Sequence, residues 1–267
     1  MKTVRRTACI LVAALAFLCA AGAVAIADTL IGTNDADQLA GTEGPDQIYG
    51  EGGNDTLSGA ESGDYLEAGS GDDTIDGDSG LDLLIGGTGN DQIDAGTGHD
   101  VVYAGAGEDL VLGGQGDDTL FGQSEPDRLF GGAGRDRIYA SLGGDFVDAG
   151  SGADHVSADG GSATILAGGG HDTITGSGGV IEVRGGSGRD RIRTREGDDH
   201  IWGGGGSDAI DSGAGDDTVK ALDGRRDSIN CGPGNDTADV DPIDLLSGCE
   251  LTARKTAARR AKRKPIR

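Results

Sequence analysis

Aliphatic residues recur at every ninth position of the chain, from Leu39 to Val219, and glycine-rich stretches separate them. Each nine-residue unit has room for one turn and one very short strand with a single inward side chain. Such a strand cannot bury a core alone, so the pattern predicts a stack of repeats. With two units per coil, odd and even units form two facing parallel sheets.

A polar series runs in phase with the aliphatic one. Beginning at Asp37, aspartate recurs every nine residues up to Asp217, and of 21 steps only Ala163 and Ile181 break the series. We number each unit so that this aspartate is position six and the aliphatic residue is position eight, and unit 1 contains Asp37. Asp28-Thr29-Leu30-Ile31 fits the same phase as a unit zero.

Composition makes cations the expected partner. The 267 residues include 53 glycines and only 3% aromatic residues. All 46 acidic residues lie between Asp28 and Glu250, where only 11 basic residues occur, which gives this body a net charge of −35. Nucleic acid is therefore not an expected partner.

Both ends of the chain differ from the body. Residues 1–27 combine a basic start, an apolar stretch and a small-x-small motif ending at Ala27, which predicts a secretory signal peptide and hence a secreted or cell-surface protein. The alternative is an uncleaved membrane anchor; no other segment is expected to span a membrane. Residues 252–267 are predicted to be a basic disordered tail, and attachment to anionic cell-envelope polymers is its functional alternative.

The register breaks after residue 220. Residues 221–251 are interpreted as degenerate repeats that form a small C-terminal cap, because the last edge of a solenoid needs to be covered. Cys231 and Cys249 fall in this segment, and a disulfide is the default expectation for two cysteines in an exported protein.

Units such as GGTGNDQID from Gly86 and GGAGRDRIY from Gly131 resemble the RTX, or hemolysin-type, calcium-binding repeat G-G-x-G-x-D-x-U-x. The resemblance covers residues 28 to about 241. It implies an all-β, right-handed parallel β-roll of about 21 in-phase nonapeptides over residues 28–220, with calcium ions held between successive turns by turn carbonyls and position-six carboxylates. The expected ligands are Asp37, Asp46, Asp55, Asp64, Asp73, Asp82, Asp91, Asp100, Asp109, Asp118, Asp127, Asp136, Asp145, Asp154, Asp172, Asp190, Asp199, Asp208 and Asp217.

The same resemblance gives an ion count. If each site joins unit n to unit n+2, the even edge offers nine sites and the odd edge ten, of which Ala163 and Ile181 impair three. About 16 Ca²⁺ ions are then expected, and the calcium-free chain is expected to be largely unfolded. The alternative is that the aspartates serve only as turn formers.

The sequence contains no H-E-x-x-H and no G-x-S-x-G motif. We therefore expect a secreted, non-catalytic calcium-binding protein and no enzyme. One alternative is a calcium-dependent adhesin or envelope protein that uses the tail or an outward row formed by Ile85, Tyr103, Phe121 and Tyr139; a toxin or hydrolase component is less favoured. The row is otherwise a stacked ladder that stabilises the sheet. A further cluster, formed by Arg184, Arg189, Arg191, Arg193 and Arg195, is expected to offset electrostatically the ions lost with the two missing aspartates, and a patch for an acidic partner is the less favoured alternative.

Overall fold

The computed structural model describes residues 27–254, and these contain strands and turns but no helix. The predicted signal peptide lies outside these residues except for Ala27, and so does the predicted tail beyond Arg254. The strands are β1 (Thr29–Ile31), β2 (Gln38–Ala40), β3 (Gln47–Tyr49), β4 (Thr56–Ser58), β5 (Tyr65–Ser70), β6 (Thr74–Asp76), β7 (Ser79–Gly80), β8 (Leu83–Thr88), β9 (Gln92–Asp94), β10 (Thr97–Gly98), β11 (Val101–Ala106), β12 (Leu110–Gln115), β13 (Thr119–Ser124), β14 (Arg128–Ala133), β15 (Arg137–Tyr139), β16 (Gly144–Ser151), β17 (His155–Leu166), β18 (Gly169–Gly170), β19 (Thr173–Arg184), β20 (Ser187–Gly188), β21 (Arg191–Thr194), β22 (His200–Trp202), β23 (Gly205–Gly206), β24 (Ala209–Asp211), β25 (Thr218–Ala221), β26 (Ser228–Asn230), β27 (Thr237–Val240), β28 (Leu245–Ser247) and β29 (Leu251–Arg254).

Every pairing between these strands is parallel and joins units one coil apart. In β1 and β3, for example, Leu30 of unit zero pairs with Ile48 of unit 2. Even units form one sheet from β1 to β28, and odd units form the facing sheet from β2 to β29. The chain is thus a parallel β-solenoid of about 12 turns, which confirms the predicted two-sheet β-roll.

The core is a narrow column between the two sheets. Position-eight side chains fill it, and those from Ile48 to Val219 are at most 2% exposed. Position one faces the same interior and is occupied by glycine or a small residue such as Ala68 or Ala149, both fully buried. A short strand therefore contributes one large inward side chain, and the neighbouring turn contributes a small one.

Glycine at position four is required by the close stacking of the turns. Gly134 has φ of 143°, and a Cβ placed on it would overlap the carbonyl oxygen of Gly116 in the preceding coil. Gly144 differs because a Cβ there would meet nothing within 4 Å. Substitution should therefore disturb Gly134 far more than Gly144.

The turns around the two missing aspartates have a different structure. Strands β17 and β19 each run for 12 residues, from the even sheet through the turn and into the odd sheet. They pair with each other along most of their length, with register shifts between Asp159 and Ala163. Backbone pairing thus replaces the usual glycine–aspartate turn at this place.

Stacking continues beyond residue 220 with altered spacing. The step between paired residues lengthens by one from Ala209 to Ser228 and then becomes shorter than the regular step from Ser228 to Leu245. Cys231 and Cys249 form the predicted disulfide, which is confirmed, and their Cα atoms lie 5.1 Å apart. The disulfide links the last two coils of the even sheet through the residues that follow β26 and β28.

Candidate metal centre: two columns of buried aspartates

The position-six aspartates stack in two columns, one along each edge of the solenoid, which we call the carboxylate columns. Except for Asp145, which lies within β16, each aspartate ends a turn and immediately precedes a strand, so each coil places its carboxylates directly above those of the coil before it. Eighteen of the 19 predicted residues are at most 3% exposed, and Asp37 in the first coil is half-buried. The fold therefore brings the whole predicted series together.

One carboxylate oxygen of each aspartate is held by the backbone. In the predicted aspartates from Asp46 to Asp217, Oδ1 accepts a hydrogen bond from the N–H of the residue at position six of the preceding coil, as in the bond from Asp118 N to Asp136 Oδ1 of 2.9 Å. These bonds range from 2.6 to 3.0 Å through the predicted series. They fix the orientation of each carboxylate.

The second oxygen, Oδ2, has no protein partner in most of these residues. In Asp136 it lies 2.6 Å from the point where a Cβ on Gly131 would stand, and the carbonyl oxygen of Ala149 in the next coil lies 2.6 Å from the same point. Oxygen atoms of two successive coils thus converge at position one, and the absence of a Cβ leaves room between them. The aspartates whose buried Oδ2 has no hydrogen-bond partner are Asp55, Asp64, Asp73, Asp82, Asp91, Asp100, Asp109, Asp118, Asp127, Asp136, Asp154, Asp172, Asp190, Asp199, Asp208, Asp217, Asp227 and Asp236.

Burial disfavours the charged form of these carboxylates. Desolvation raises the pKa of Asp127 to about 8; the backbone hydrogen bond opposes this, while the charges of Asp109 and Asp145 add to it. Desolvation likewise raises the pKa of Asp118 to about 7. The pKa is raised to about 7 in Asp82, Asp91 and Asp154 and to about 6 in Asp64, Asp190 and Asp227, with desolvation the largest cause throughout.

Among the side chains of residues 27–250, no lysine or arginine forms an ion pair with a column. Ion pairs in this range form only between Arg184 and Glu182 and between Arg193 and Asp211, and neither pair touches a column. A buried carboxylate without a counter-ion is costly, so these sites require protons or cations.

The donor set suits a hard cation. In the described part of the chain, no three His, Cys, Asp or Glu side chains come close enough to hold a metal together, so any ion would also need backbone carbonyls. Position four provides them: a Cβ on Gly152 would overlap the carbonyl oxygen of Gly134 and stand 3.0 Å from Asp154 Oδ1. Carboxylates combined with carbonyls match the all-oxygen preference of Ca²⁺ and lack the nitrogen and sulfur donors that zinc favours.

The odd column is interrupted at Ala163 and Ile181, as the sequence indicates. The side chain of Ile181 is fully buried in place of a carboxylate, and its Cγ1 lies 3.0 Å from the Cβ position of Gly176. The ladder of bonds resumes immediately, because the N–H of Ile181 donates to Asp199 Oδ1 at 2.8 Å. The even column has no such gap.

Both columns extend beyond the residues predicted from the sequence. The N–H of Asp208 donates to Asp227 Oδ1 at 2.8 Å, and the N–H of Asp217 donates to Asp236 Oδ1 at 3.0 Å. Asp244 then accepts from Asp227 at 3.0 Å. The strict nine-residue step missed these residues, although the local pattern of aspartate two positions before an aliphatic or alanine residue marks all three.

Apart from the two carboxylate columns, an exposed series of side chains runs along position five of the units. The N–H of Asp117 donates to His99 Nδ1 at 2.6 Å, and the N–H of Arg135 donates to Asp117 Oδ1 at 2.8 Å. His99 and Asp117 thus each accept from an N–H of the following coil, the reverse of the direction in the buried columns, and both remain exposed to solvent.

The predicted outward row is a stacked ladder. The ring centroids of Tyr103 and Phe121 lie 4.7 Å apart and those of Phe121 and Tyr139 lie 4.8 Å apart, with interplanar angles of 4° and 8°. Ile85 pairs with Tyr103 at the end of this aromatic ladder. Because the rings cover one another's faces, stacking between coils accounts for their spacing.

The fold and its turns define a class of protein: a parallel β-solenoid with columns of buried carboxylates at its edges. A family model for the RTX calcium-binding nonapeptide repeat matches residues 31–66, 58–93, 85–120, 121–156, 157–180 and 184–219. The chain therefore belongs to the RTX calcium-binding repeat family, as predicted, and is a calcium-binding β-roll protein.

The sequence matches no curated protein. Among solved structures, the chain is similar to a hyperactive, Ca²⁺-dependent, β-helical antifreeze protein from an Antarctic bacterium, with 19% identity, a TM-score of 0.36 and coverage of 82% of this chain and 83% of the other.

Proposed function

We propose that this protein is a secreted, non-catalytic calcium-binding protein that folds as Ca²⁺ ions bind between its stacked turns. The observation that carries the proposal is the set of 18 buried carboxylate oxygens without a protein partner. Protons or cations must neutralise them, and the surrounding donors are oxygens. Turn formation alone would explain neither the burial nor the missing partners.

The proposed ligands are the 19 aspartates predicted from the sequence together with turn carbonyls. About 16 ions follow from the pairing of units n and n+2. Asp227 and Asp236 add one stacked pair to each edge, Asp208 with Asp227 and Asp217 with Asp236. The divalent charge would then offset most of the −35 carried by the body.

The absence of catalysis is proposed from the isolation of the candidate side chains. The four histidines make separate contacts: His99 bonds to the N–H of Asp117, His155 lies beside Tyr139, His171 bonds to a neighbouring turn, and His200 lies beside Trp202. This arrangement provides no nucleophile–base pair of the kind that hydrolases use.

Export is proposed from the predicted signal peptide, residues 1–27, and from the charge of the body. Low calcium inside the cell would leave the acidic chain unfolded, and higher calcium outside would fold it. In residues 27–254 no helix is long and apolar enough to cross a membrane.

Calcium titration followed by far-ultraviolet circular dichroism and calorimetry tests the proposal. We expect a largely disordered spectrum in chelator, a β spectrum in millimolar Ca²⁺ and a stoichiometry of many ions per chain. Mg²⁺ at equal concentration is the matched control, because its rigid octahedral preference suits these sites poorly. A β spectrum unchanged by chelator would refute calcium-driven folding.

The alternative of a calcium-dependent adhesin or envelope protein needs a partner surface. The rings of the aromatic ladder stack on one another, which explains that row without a partner. The basic tail lies mostly outside the described residues. Binding to isolated cell envelopes, with and without Ca²⁺ and with the tail charges removed, separates this alternative from the leading proposal.

A further inference from the structure

Basic residues are concentrated at one end of the acidic solenoid. Residues 28–127 contain no lysine or arginine, whereas eight of the 11 basic residues of the body lie between Arg184 and Arg226. Arg189, Arg191 and Arg193 belong to unit 18 and lie on the even side. They therefore lie away from the gaps at Ala163 and Ile181 in the odd column. Arg184 and Arg195 of the same predicted cluster belong to odd units.

These arginines line an open groove. A cavity of about 560 Å³ in the turn region is bordered by His171, Arg189, Ser207 and Arg225. A smaller cavity of about 210 Å³ shares His171 and Arg189 with it and adds Thr173 and Arg191. Thr173 and Arg191 also border a third cavity of about 430 Å³ on the face of the even sheet. We call this continuous surface, formed by His171, Thr173, Arg189, Arg191, Ser207 and Arg225, the arginine groove.

Three arginines of the groove are not held in ion pairs, although Asp172 and Asp223 also border it. Arg193 is paired with Asp211 at 3.2 Å, whereas Arg189, Arg191 and Arg225 form no ion pair with the side chains of residues 27–250. No carboxylate side chain from the undescribed ends could neutralise them, because all acidic residues lie between Asp28 and Glu250.

Two further groups shape the groove. Asp223, a half-buried acid that borders it, already accepts bonds from the N–H groups of Gly206 and Arg225 at 2.7 and 2.6 Å. The Nδ1 of His171 accepts from the N–H of Arg189 at 2.8 Å, so a neutral His171 carries its hydrogen on Nε2 as a donor.

We propose that the arginine groove binds a segment of an acidic oligosaccharide, one that carries sulfate or carboxylate groups. Guanidinium groups recognise such groups with paired hydrogen bonds. Thr173 and Ser207 provide small hydroxyl side chains suited to sugar hydroxyls. Arg189 and Arg225 belong to coils two steps apart, about 10 Å along the solenoid. That separation fits anionic groups on successive sugars better than one small anion.

The chain contains a matched control for this groove. Arg135 and Arg137 occupy positions five and seven of unit 12, in the same GGxGRDR sequence as Arg189 and Arg191. Their surroundings differ: the N–H of Arg135 bonds to Asp117, an exposed acid, and Arg137 pairs in register with Thr119 and His155. Equal changes at the two pairs therefore separate a specific groove from a general effect of charge.

The test measures binding of a heparin-derived octasaccharide in millimolar Ca²⁺ by calorimetry. All proteins are full-length and carry serine in place of Arg259, Arg260, Lys262, Arg263 and Lys264, so that the basic tail does not dominate binding. We expect R189Q/R191Q to weaken binding by about tenfold or more, R135Q/R137Q to change it less than about twofold, and inorganic sulfate at equal concentration to bind far more weakly than the octasaccharide.

Equal losses in the two double variants, or sulfate binding as tight as that of the octasaccharide, would overturn the proposed groove. The groove depends on the proposed function only in needing a folded solenoid in calcium, and circular dichroism of each sample checks this independently. If the spectrum is β in Ca²⁺ but the octasaccharide does not bind, the groove proposal fails while calcium-driven folding stands.

Discussion

Replacing Asp118 with asparagine should change stability in opposite directions with and without calcium. The substitution keeps the shape of the side chain and the Oδ1 acceptor for the N–H of Asp100, at 2.9 Å. It replaces the unpartnered Oδ2 with an NH₂ group that cannot bind a cation. Asp118 is fully buried, so solvent cannot compensate for the change.

The magnitudes follow from the stacking of the column. Loss of one ion at tenfold excess over its dissociation constant lowers the free energy of unfolding by about 1.4 kcal/mol. Without calcium, Asp100 and Asp136 lie about 4.8 Å from Asp118, and each repulsion between charged carboxylates is on the order of 3 kcal/mol at an effective dielectric of about 20. Because burial raises the pKa of Asp118 to about 7, partial protonation reduces this. A gain of about 1–3 kcal/mol is then expected for the calcium-free variant.

Urea unfolding at pH 8, followed by circular dichroism, measures both effects. In a series of calcium concentrations, the slope of unfolding free energy against ln[Ca²⁺] should fall by about one ion in D118N. In calcium-free buffer, a stabilising osmolyte is added to populate the folded state. D117N is the matched control: Asp117 is the preceding residue, it is exposed, and its Oδ1 accepts from the N–H of Arg135 at 2.8 Å.

Equal shifts of the calcium dependence in D118N and D117N would refute a special role for the buried column. A similar loss of stability in D118N with and without calcium would refute it as well, because the change would then reflect packing and not charge. A reduced slope in D118N alone, with a gain of stability in the absence of calcium, supports the assignment of the column as a set of cation ligands.

Further predictions concern protons, turns, the aromatic ladder and the cap. In calcium-free buffer, the raised pKa values of the buried aspartates mean that the folded state binds more protons than the unfolded state. The free energy of unfolding should therefore be highest near pH 4 and fall as pH rises through about 6 to 8. Urea unfolding measures this, and stability that increases with pH over this range would contradict it. The calcium concentration for half-maximal folding should be well above the wild-type value in G134A and close to it in G144A. Of these two glycines, only Gly134 combines a positive φ with a close backbone contact. Equal midpoints in the two variants would argue against the close stacking. F121A removes two stacked ring pairs and should lower the free energy of unfolding in calcium by about 2–3 kcal/mol. A loss no greater than that caused by replacing an exposed threonine with alanine would leave the ladder without a stabilising role. C231S should cost about 3 kcal/mol in urea unfolding under oxidising conditions and nothing relative to the wild type under reducing conditions.

Much of the fold could be predicted because every unit has the same hydrophobic position. The nine-residue period holds from Leu39 to Val219, and parallel stacking of the units is the arrangement that turns every position-eight side chain inward. The burial of Asp46 to Asp217 follows from the same register, since position six lies two residues before the inward side chain of its unit. Local pattern and global fold agree at almost every unit, as in other repeat proteins.

What the sequence did not reveal depends on contacts between coils. The strict spacing ended the series at Asp217, but one extra residue is absorbed at the turn near Gly224, where a Cβ would meet nothing within 4 Å, and Asp227 rejoins the column. The cavity shared by Arg189, His171 and Ser207 was also not predicted, because its shape depends on how side chains of successive coils pack and not on which sheet they belong to.

We expect the solenoid to begin folding at the long strands β17 and β19. Their turns on the odd side pair through the backbone, with register shifts between Asp159 and Ala163, and place Ala163 and Ile181 where the neighbouring coils have Asp145 and Asp199. Forming these turns therefore adds no stacked charges to that edge. Coils could then be added outward in both directions as calcium arrives, each on a template already in register. In hydrogen-exchange terms, protection at limiting calcium should be greatest in the middle of the molecule and should decline towards both ends, a gradient that neither the regular repeat nor the ion count would suggest.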